Sequence, residues 1–154
     1  MSGNFQYSPY RRLENPSDSD VPLTESIKSE RTGQKLIDLS WAAGLLDGEA
    51  CFRIDNRGGV RVAVDSTSKS TVERLFAILG GSCSVHSRRT AAARPVFHWR
   101  VNGKEAVSVC ILLIPFLVEK KRQAELLSIA QKYPPKSAMR KSIAVRLSEL
   151  KRTV

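Results

Sequence analysis

The chain has 154 residues, of which 42% are hydrophobic, so it is long enough for one compact domain plus an extension and too apolar for wholesale disorder. Its 25 Lys and Arg outnumber 15 Asp and Glu, a net charge of +10. That balance points to a polyanionic partner, nucleic acid first, with an anionic membrane surface or a merely basic exterior as the alternatives.

The first 35 residues carry five basic and five acidic side chains, so the whole excess lies in the remainder, with 20 basic against 10 acidic. Residues 1–35 are rich in Ser, Pro, Asn and charge and show no hydrophobic period. They read as a mobile polar extension, from which Arg11 and Arg12 could reach a polyanion. They lack the apolar stretch of a secretory signal, and their acids and prolines suit a transit peptide poorly. No run of about 18 apolar residues occurs, so no membrane partner is expected. Cys51, Cys83 and Cys110 stand far apart and are odd in number. They fit an intracellular, reducing compartment better than a disulfide framework or a zinc site.

From Leu36 the texture changes. LIDLSWAAGLLDG has small and apolar residues around most of a helical circumference, which predicts a helix buried on several sides, capped by Ser40 and ending near Gly48. Next, Phe52 and Ile54 alternate with Arg53, Asp55 and Arg57. After a Gly58-Gly59 turn signal, Val60, Val62 and Val64 alternate with Arg61, Ala63 and Asp65. Strict alternation on both sides of such a turn predicts an antiparallel hairpin with one wet face. A helix follows, capped by Ser68 or Ser70, with an apolar stripe of Val72, Leu75, Phe76 and Leu79 and a stop at Gly80-Gly81.

A second hairpin puts Cys83, Val85, Phe97, Trp99 and Val101 inward and Ser84, His86, Arg88, His98 and Arg100 outward, with a loop near residues 90–93. An apolar helix broken near Pro115, an amphipathic helix ending before Pro134-Pro135, and a basic amphipathic segment over residues 134–154 complete the chain. The expected architecture is α+β: helices on one side of a four-stranded antiparallel sheet, with extra C-terminal helices. Both tryptophans read as core aromatics. The wet face gathers Arg53, Arg57, Arg61, Arg88 and Arg100 with Asp55, Asp65, Ser84, His86 and His98. Arginine forks among mixed polar groups suit the reading of base edges better than a uniform lysine coat does. An ordinary solvated sheet face is the plainer reading.

Two stretches and the element order carry a family resemblance. AAGLLDGEA, residues 42–50, is similar to the nine-residue consensus that the name LAGLIDADG spells out. Ala43, Gly44, Leu45 and Asp47 match or nearly match, Leu46 stands for Ile, Glu49 occupies the acidic position, and Ala50 departs from the usual terminal glycine. The element order resembles the αββαββα core of that homing endonuclease family. IPFLVEKKRQAELL resembles its segment ahead of the late helix. The resemblance covers residues 36–133.

The resemblance implies a metal-dependent enzyme that cuts both strands of a long DNA site and leaves staggered 3′ overhangs. In such proteins paired motif helices form the subunit interface, and one acid from each enters a shared metal site. Gly44 and Gly48, four apart with Ala43 and Asp47 nearby, share a helical face on which small residues let two backbones approach. That same pattern also serves close packing within one chain. A single motif supplies a single acid, so the resemblance implies a homodimer with twofold symmetry. Glu49 is the expected catalytic ligand of Mg²⁺, with the Ala50 carbonyl beside it. Lys120 is the expected charge-stabilising lysine, with Lys121 one register away. Asp47 is assigned to structure or capping. Asp65, Ser66 and Thr67 compete for the polar position at the end of the second strand. A His86–His98 metal pair lacks a third ligand, so DNA contact is the reading taken for both. The alternative function is a binding-only protein of the same fold, a maturase acting on intron RNA or a transcription regulator.

Overall fold

A computed structural model describes residues 2–3, 25–86 and 93–153 of the chain. Helix α1 spans Glu25–Glu49 and leads into the hairpin β2 (Cys51–Ile54) and β3 (Val60–Ser66). Helix α2 (Lys69–Leu79) separates this from β4 (Ser82–His86) and β5 (Val96–Asn102). Helices α3 (Gly103–Leu113), α4 (Lys121–Ala130) and α5 (Ala138–Leu150) follow. The two hairpins form a four-stranded antiparallel sheet, and a two-residue strand β1 (Ser2–Gly3) adds to its β4 edge, giving the order β1-β4-β5-β3-β2. The architecture is α+β with the expected αββαββα order and two further helices. Among the described residues no helix is long and apolar enough to cross a membrane.

Alternation decides which face of the sheet is covered. Phe52, Val60, Val62, Val64, Trp99 and Val101 are buried, facing Leu39, Ala42, Leu46, Leu75 and Leu113 from the helices. Helices α2 and α3 pack on the two central strands, β3 and β5, while α4 and α5 pack on β2. Burying these side chains supplies roughly 1.5–3 kcal/mol each, which makes this layer the main cohesive term. Trp99 also donates its indole N–H to the Gly80 carbonyl at 2.8 Å, so the one polar atom it buries is satisfied. Trp41 is only half-buried. Its ring carries the Arg74 guanidinium 4.2 Å from the centroid, and Arg74 in turn reaches Asp38 at 3.4 Å.

Helix α2 starts as expected, with Ser68 Oγ accepting from the Thr71 amide, and it stops at Gly80, whose φ of 70° suits glycine. Helix α1 differs from expectation. It begins at Glu25, so Ser40 lies inside it and caps nothing, and the compositional boundary near residue 35 falls within the helix. Residues 31–37 of it are mostly exposed. Arg11, Arg12, Arg88 and most of the loop near residues 90–93 lie outside the described residues.

The β2–β3 turn is built around Asp55. One carboxylate oxygen accepts from the amides of Arg57 (2.9 Å) and Gly59 (2.8 Å), while the Asp55 amide donates to the Gly59 carbonyl at 2.9 Å. This is the local bonding that makes Asp a turn former, and it engages a side chain expected on the DNA-facing set. The Gly59 amide hydrogen bond is the main cause that holds the Asp55 carboxyl below its ordinary value of 3.8. Partial burial opposes it, and the Arg57 amide, Arg61 and Arg53 assist.

A carboxyl whose pKa is lowered by folding contributes stability above its unfolded value and loses it as pH falls through the lowered, folded value. Asp55→Asn keeps an acceptor oxygen but not the charge. The melting temperature of the native chain should therefore exceed that of Asp55→Asn near neutrality, and the gap should close below about pH 4. A gap independent of pH would show that the charge contributes nothing to the turn.

Candidate nucleic-acid interface and active site

The strand register sorts the wet face into three cross-strand rows. Ser84, His98 and Asp65 form one, Ser82, Arg100, Ala63 and Cys51 the next, and Asn102, Arg61 and Arg53 the third. Each row is fixed by backbone pairing, so neighbouring side chains stand within interaction range of one another. Arg61 Nε donates to Asn102 Oδ1 at 2.8 Å, which aims the guanidinium. His98 Nδ1 lies 2.5 Å from Asp65 Oδ1. The His86 ring stands two residues beyond Ser84 along its strand and meets the His98 ring edge-on at 4.5 Å between centroids. His98 Nε2 is enclosed without a hydrogen-bond partner among the described residues. Of the competitors for the end of the second strand, Asp65 thus joins the row, while Ser66 Oγ accepts from the Ser68 amide ahead of α2.

Glu49 ends α1 and opens onto this face. It lines one cleft with Cys51, Arg53, Arg61, Asp65, His86, His98 and Arg100. The Glu49 side chain is exposed, and none of the ion pairs among the described residues engages it. Asp47, two residues earlier, is placed differently. One of its oxygens accepts from the Val118 amide at 2.8 Å and the other from the Lys120 amide at 3.0 Å. Lys120 returns the contact, donating its ammonium to the Gly48 carbonyl at 3.2 Å and to the Ala50 carbonyl at 2.7 Å. The Lys120 ammonium is therefore held at the foot of α1, whereas Lys121 is exposed at the start of α4. Burial holds the Lys120 ammonium below the ordinary lysine value, against the pull of Asp47 and Glu49 in the other direction.

The small residues of the motif divide. Ala43 is buried in the chain's own core, whereas Gly44 and Gly48 are exposed, and a Cβ built on either meets nothing within 4 Å. Packing among the described residues does not require these two glycines. On the same helix Leu36 and Ile37 are about half exposed, at 50% and 59%.

Two neighbours of the site went unseen in the sequence. Cys51 stands beside Glu49 in the cleft, and Lys151, at the end of α5, brings its ammonium 3.6 Å from the Cys51 sulfur. Lys151 and Arg152 continue the basic surface past the edge strand, in a groove shared with Arg53, Asn56 and Lys141. Their positions in a C-terminal amphipathic helix carried no sign of this proximity.

No family model and no curated protein matches the sequence. Among solved structures, the chain is similar to the homing endonuclease I-CvuI in complex with its target in the presence of Ca. The TM-score is 0.64 at 19% identity, over 77% of this chain and 84% of that one. It is also similar to I-CvuI bound to an I-CreI target in the presence of Mg, in which the DNA is not cleaved. There the TM-score is 0.58 at 20% identity, over 76% of this chain and 83% of that one. With its motif on α1, its two hairpins in one sheet and its helices on a single face, the chain has the fold of the single-motif LAGLIDADG homing endonucleases.

Proposed function

We propose that this chain is one subunit of a homodimeric, metal-dependent endonuclease that cuts both strands of a specific DNA site and leaves staggered 3′ overhangs. The observation that carries the reading is the placement of Glu49. An unpaired carboxylate at the foot of the motif helix opens into the same cleft as the arginine and histidine rows, with the Lys120 ammonium anchored behind it. Bound target DNA in the I-CvuI structures supports the choice of partner.

The donor chemistry fits a hard divalent cation. Mg²⁺ takes oxygen ligands and retains waters, so an exposed carboxylate with no protein partner suits it. Among the described residues no three ligating side chains cluster. A single chain thus offers part of a set, which a second Glu49, phosphate oxygens and water would complete. The Ala50 carbonyl, expected as a further ligand, already accepts the Lys120 ammonium, and the Gly48 carbonyl accepts it too. A second cation on those oxygens would be repelled by the first, so Glu49 is the principal protein ligand in this reading. When bound, the metal supplies Lewis-acid activation of water and charge neutralisation at the phosphate. Lys120 adds fixed positive charge where the phosphate becomes more anionic. Arg53, Arg57, Arg61 and Arg100 contact base edges and phosphates, with Asp65, Ser84, His86 and His98 selecting among bases. Arg88 belongs to the same set by sequence alternation. RNA enters only under the binding-only alternative.

The dimer reading rests on α1. Gly44 and Gly48 expose backbone on a helix face that also carries Ile37, and none of the described residues covers them. Two such faces in contact around a twofold axis would bring two Glu49 carboxylates together.

Selection of cleaved sites from a random duplex library in Mg²⁺ tests the reading. A sequence-dependent double-strand cut is expected. Glu49→Gln should abolish cutting, a loss of at least about a thousandfold for a ligand of this kind, and retain specific binding. Full cleavage by Glu49→Gln would remove Glu49 from the mechanism, and sequence-specific binding without cutting by the native chain would favour the binding-only alternative.

Gly44→Ala separates fold from assembly. In the isolated subunit it replaces a poor helix former with the best one in open space, and should raise subunit stability by up to about 1 kcal/mol. At a helix–helix contact the added methyl groups should weaken the dimer, seen as a shift toward monomer mass in sedimentation. A dimer of unchanged affinity would place the interface elsewhere.

A further inference from the structure

The β2–β3 turn is held from outside as well as from within. Arg140, in the first turn of α5, is 4% exposed. Its Nη1 donates to the Gly58 carbonyl at 2.6 Å, and its Nε to the Ala130 carbonyl at the end of α4, at 2.9 Å. Ser137 caps α5 by accepting from the Arg140 amide at 3.2 Å, which fixes the root of the side chain. Gly58 itself lies against the loop between α4 and α5. A Cβ built on it would fall 2.0 Å from the Pro135 carbonyl oxygen, and its φ is 85°. The turn is therefore docked by a hydrogen bond on one side and by backbone contact on the other.

Cohesion alone does not explain an arginine here. No carboxylate pairs with Arg140 among the described residues. Burying a cation is costly, and a packed apolar side chain would join α5 to the sheet at least as well. What an apolar side chain cannot do is hold a carbonyl in a fixed direction. The planar guanidinium does so with two donors in a rigid fork. The carbonyl it holds belongs to the residue after Arg57, whose own amide is tied to Asp55 and whose side chain is exposed.

We propose that Arg140 is a positioning residue for sequence readout, fixing the β2–β3 turn from α5 and thereby aiming Arg57. The proposal rests on the DNA-reading function given above. A recognition side chain on a loose turn samples many directions and contacts several bases indifferently, whereas one on a clamped turn discriminates among them. Arg140 touches no DNA in this scheme. It acts through the turn, and its effect falls on specificity rather than on the cutting step.

The test uses the full chain and the library selection, with Arg57→Ala and Arg100→Ala marking which base pairs each arginine reads. Arg140→Met should relax the base pairs that Arg57→Ala relaxes, by roughly three- to tenfold in discrimination, part of what a good arginine–guanine contact supplies. It should leave the base pairs marked by Arg100→Ala as selective as before. Arg140→Lys, which keeps the charge but can serve one carbonyl at a time, should fall between. Hydrogen exchange at the Gly58 and Gly59 amides should quicken in Arg140→Met. Unchanged preference at the Arg57 base pairs would overturn the proposal, as would an equal loss at both sets accompanied by a lower melting temperature. If Arg140→Met fails to fold, Arg140→Lys carries the same comparison. A native chain that selects no sequence overturns the DNA reading and this role together, whereas selection by the native chain with unaltered Arg140→Met preferences overturns this role alone.

Discussion

The foot of α1 depends on one carboxylate. Asp47 accepts the amides of Val118 and Lys120, more than seventy positions away along the chain, and Lys120 closes the loop by donating to the carbonyls of Gly48 and Ala50. Hydrogen bonds to an ionised acceptor are about twice as strong as neutral ones, and here two of them seal a helix end against a distant segment. The tie determines what the second acid of the motif is free to do. Positions two apart on a helix point about 200° from one another, so while Asp47 turns toward the segment 118–120, Glu49 turns away from it. One acid is immobilised and the other is left open to the cleft. The same tie brings a lysine to the open acid, which no local spacing would do.

The sheet applies a similar division along its length. Each strand sends alternate side chains to the helices and to solvent, and the register gathers the solvent set into rows across four strands. The rows differ in chemistry: arginine with asparagine in one, serine, histidine and aspartate in another. A surface that merely attracted phosphate would need only density of positive charge. Donors, acceptors and mixed groups at fixed spacing suit the discrimination of base edges. The bond between His98 Nδ1 and Asp65 and the edge-on His86 ring show that these groups are oriented by one another before any partner arrives.

Both hairpins, the α2 helix and the outward residues of the described strands were legible in the sequence, because a half-buried strand must alternate and a helix start must satisfy its free amides, whereas Arg57 falls in the β2–β3 turn. Glu49 and Lys120 were singled out as candidates through the motif and its neighbouring segment. What escaped lies where tertiary contact overrides local pattern. Residues 31–35 of α1 are polar and mostly exposed, and a polar, exposed stretch of helix resembles a loop in sequence. Ser40 precedes an apolar run as a cap would, yet the helix had already begun. Asp55 was counted as one more wet-face residue, although an acid four positions before Gly59 is also how a turn satisfies two amides. Arg140 resembled an ordinary cation on a basic helix. Only the fold shows its guanidinium enclosed between two carbonyls.

Helix α5 resolves a problem set by the sheet itself. Strand β2 is only four residues long and stands at the edge, where unpaired backbone invites the wrong partners. Helices α4 and α5 pack on it, and α5 fastens it at both ends, with Arg140 at the turn after its last residue and Lys151 at Cys51, its first. The helix therefore spans the strand, from the turn that bears Arg57 to the cleft that bears Glu49. A strand so held cannot slip in register, and a one-residue slip would exchange Arg53 for Phe52 on the wet face. The C-terminal helices thus belong mechanically to the proposed recognition surface, although they follow the αββαββα core and the motif does not announce them.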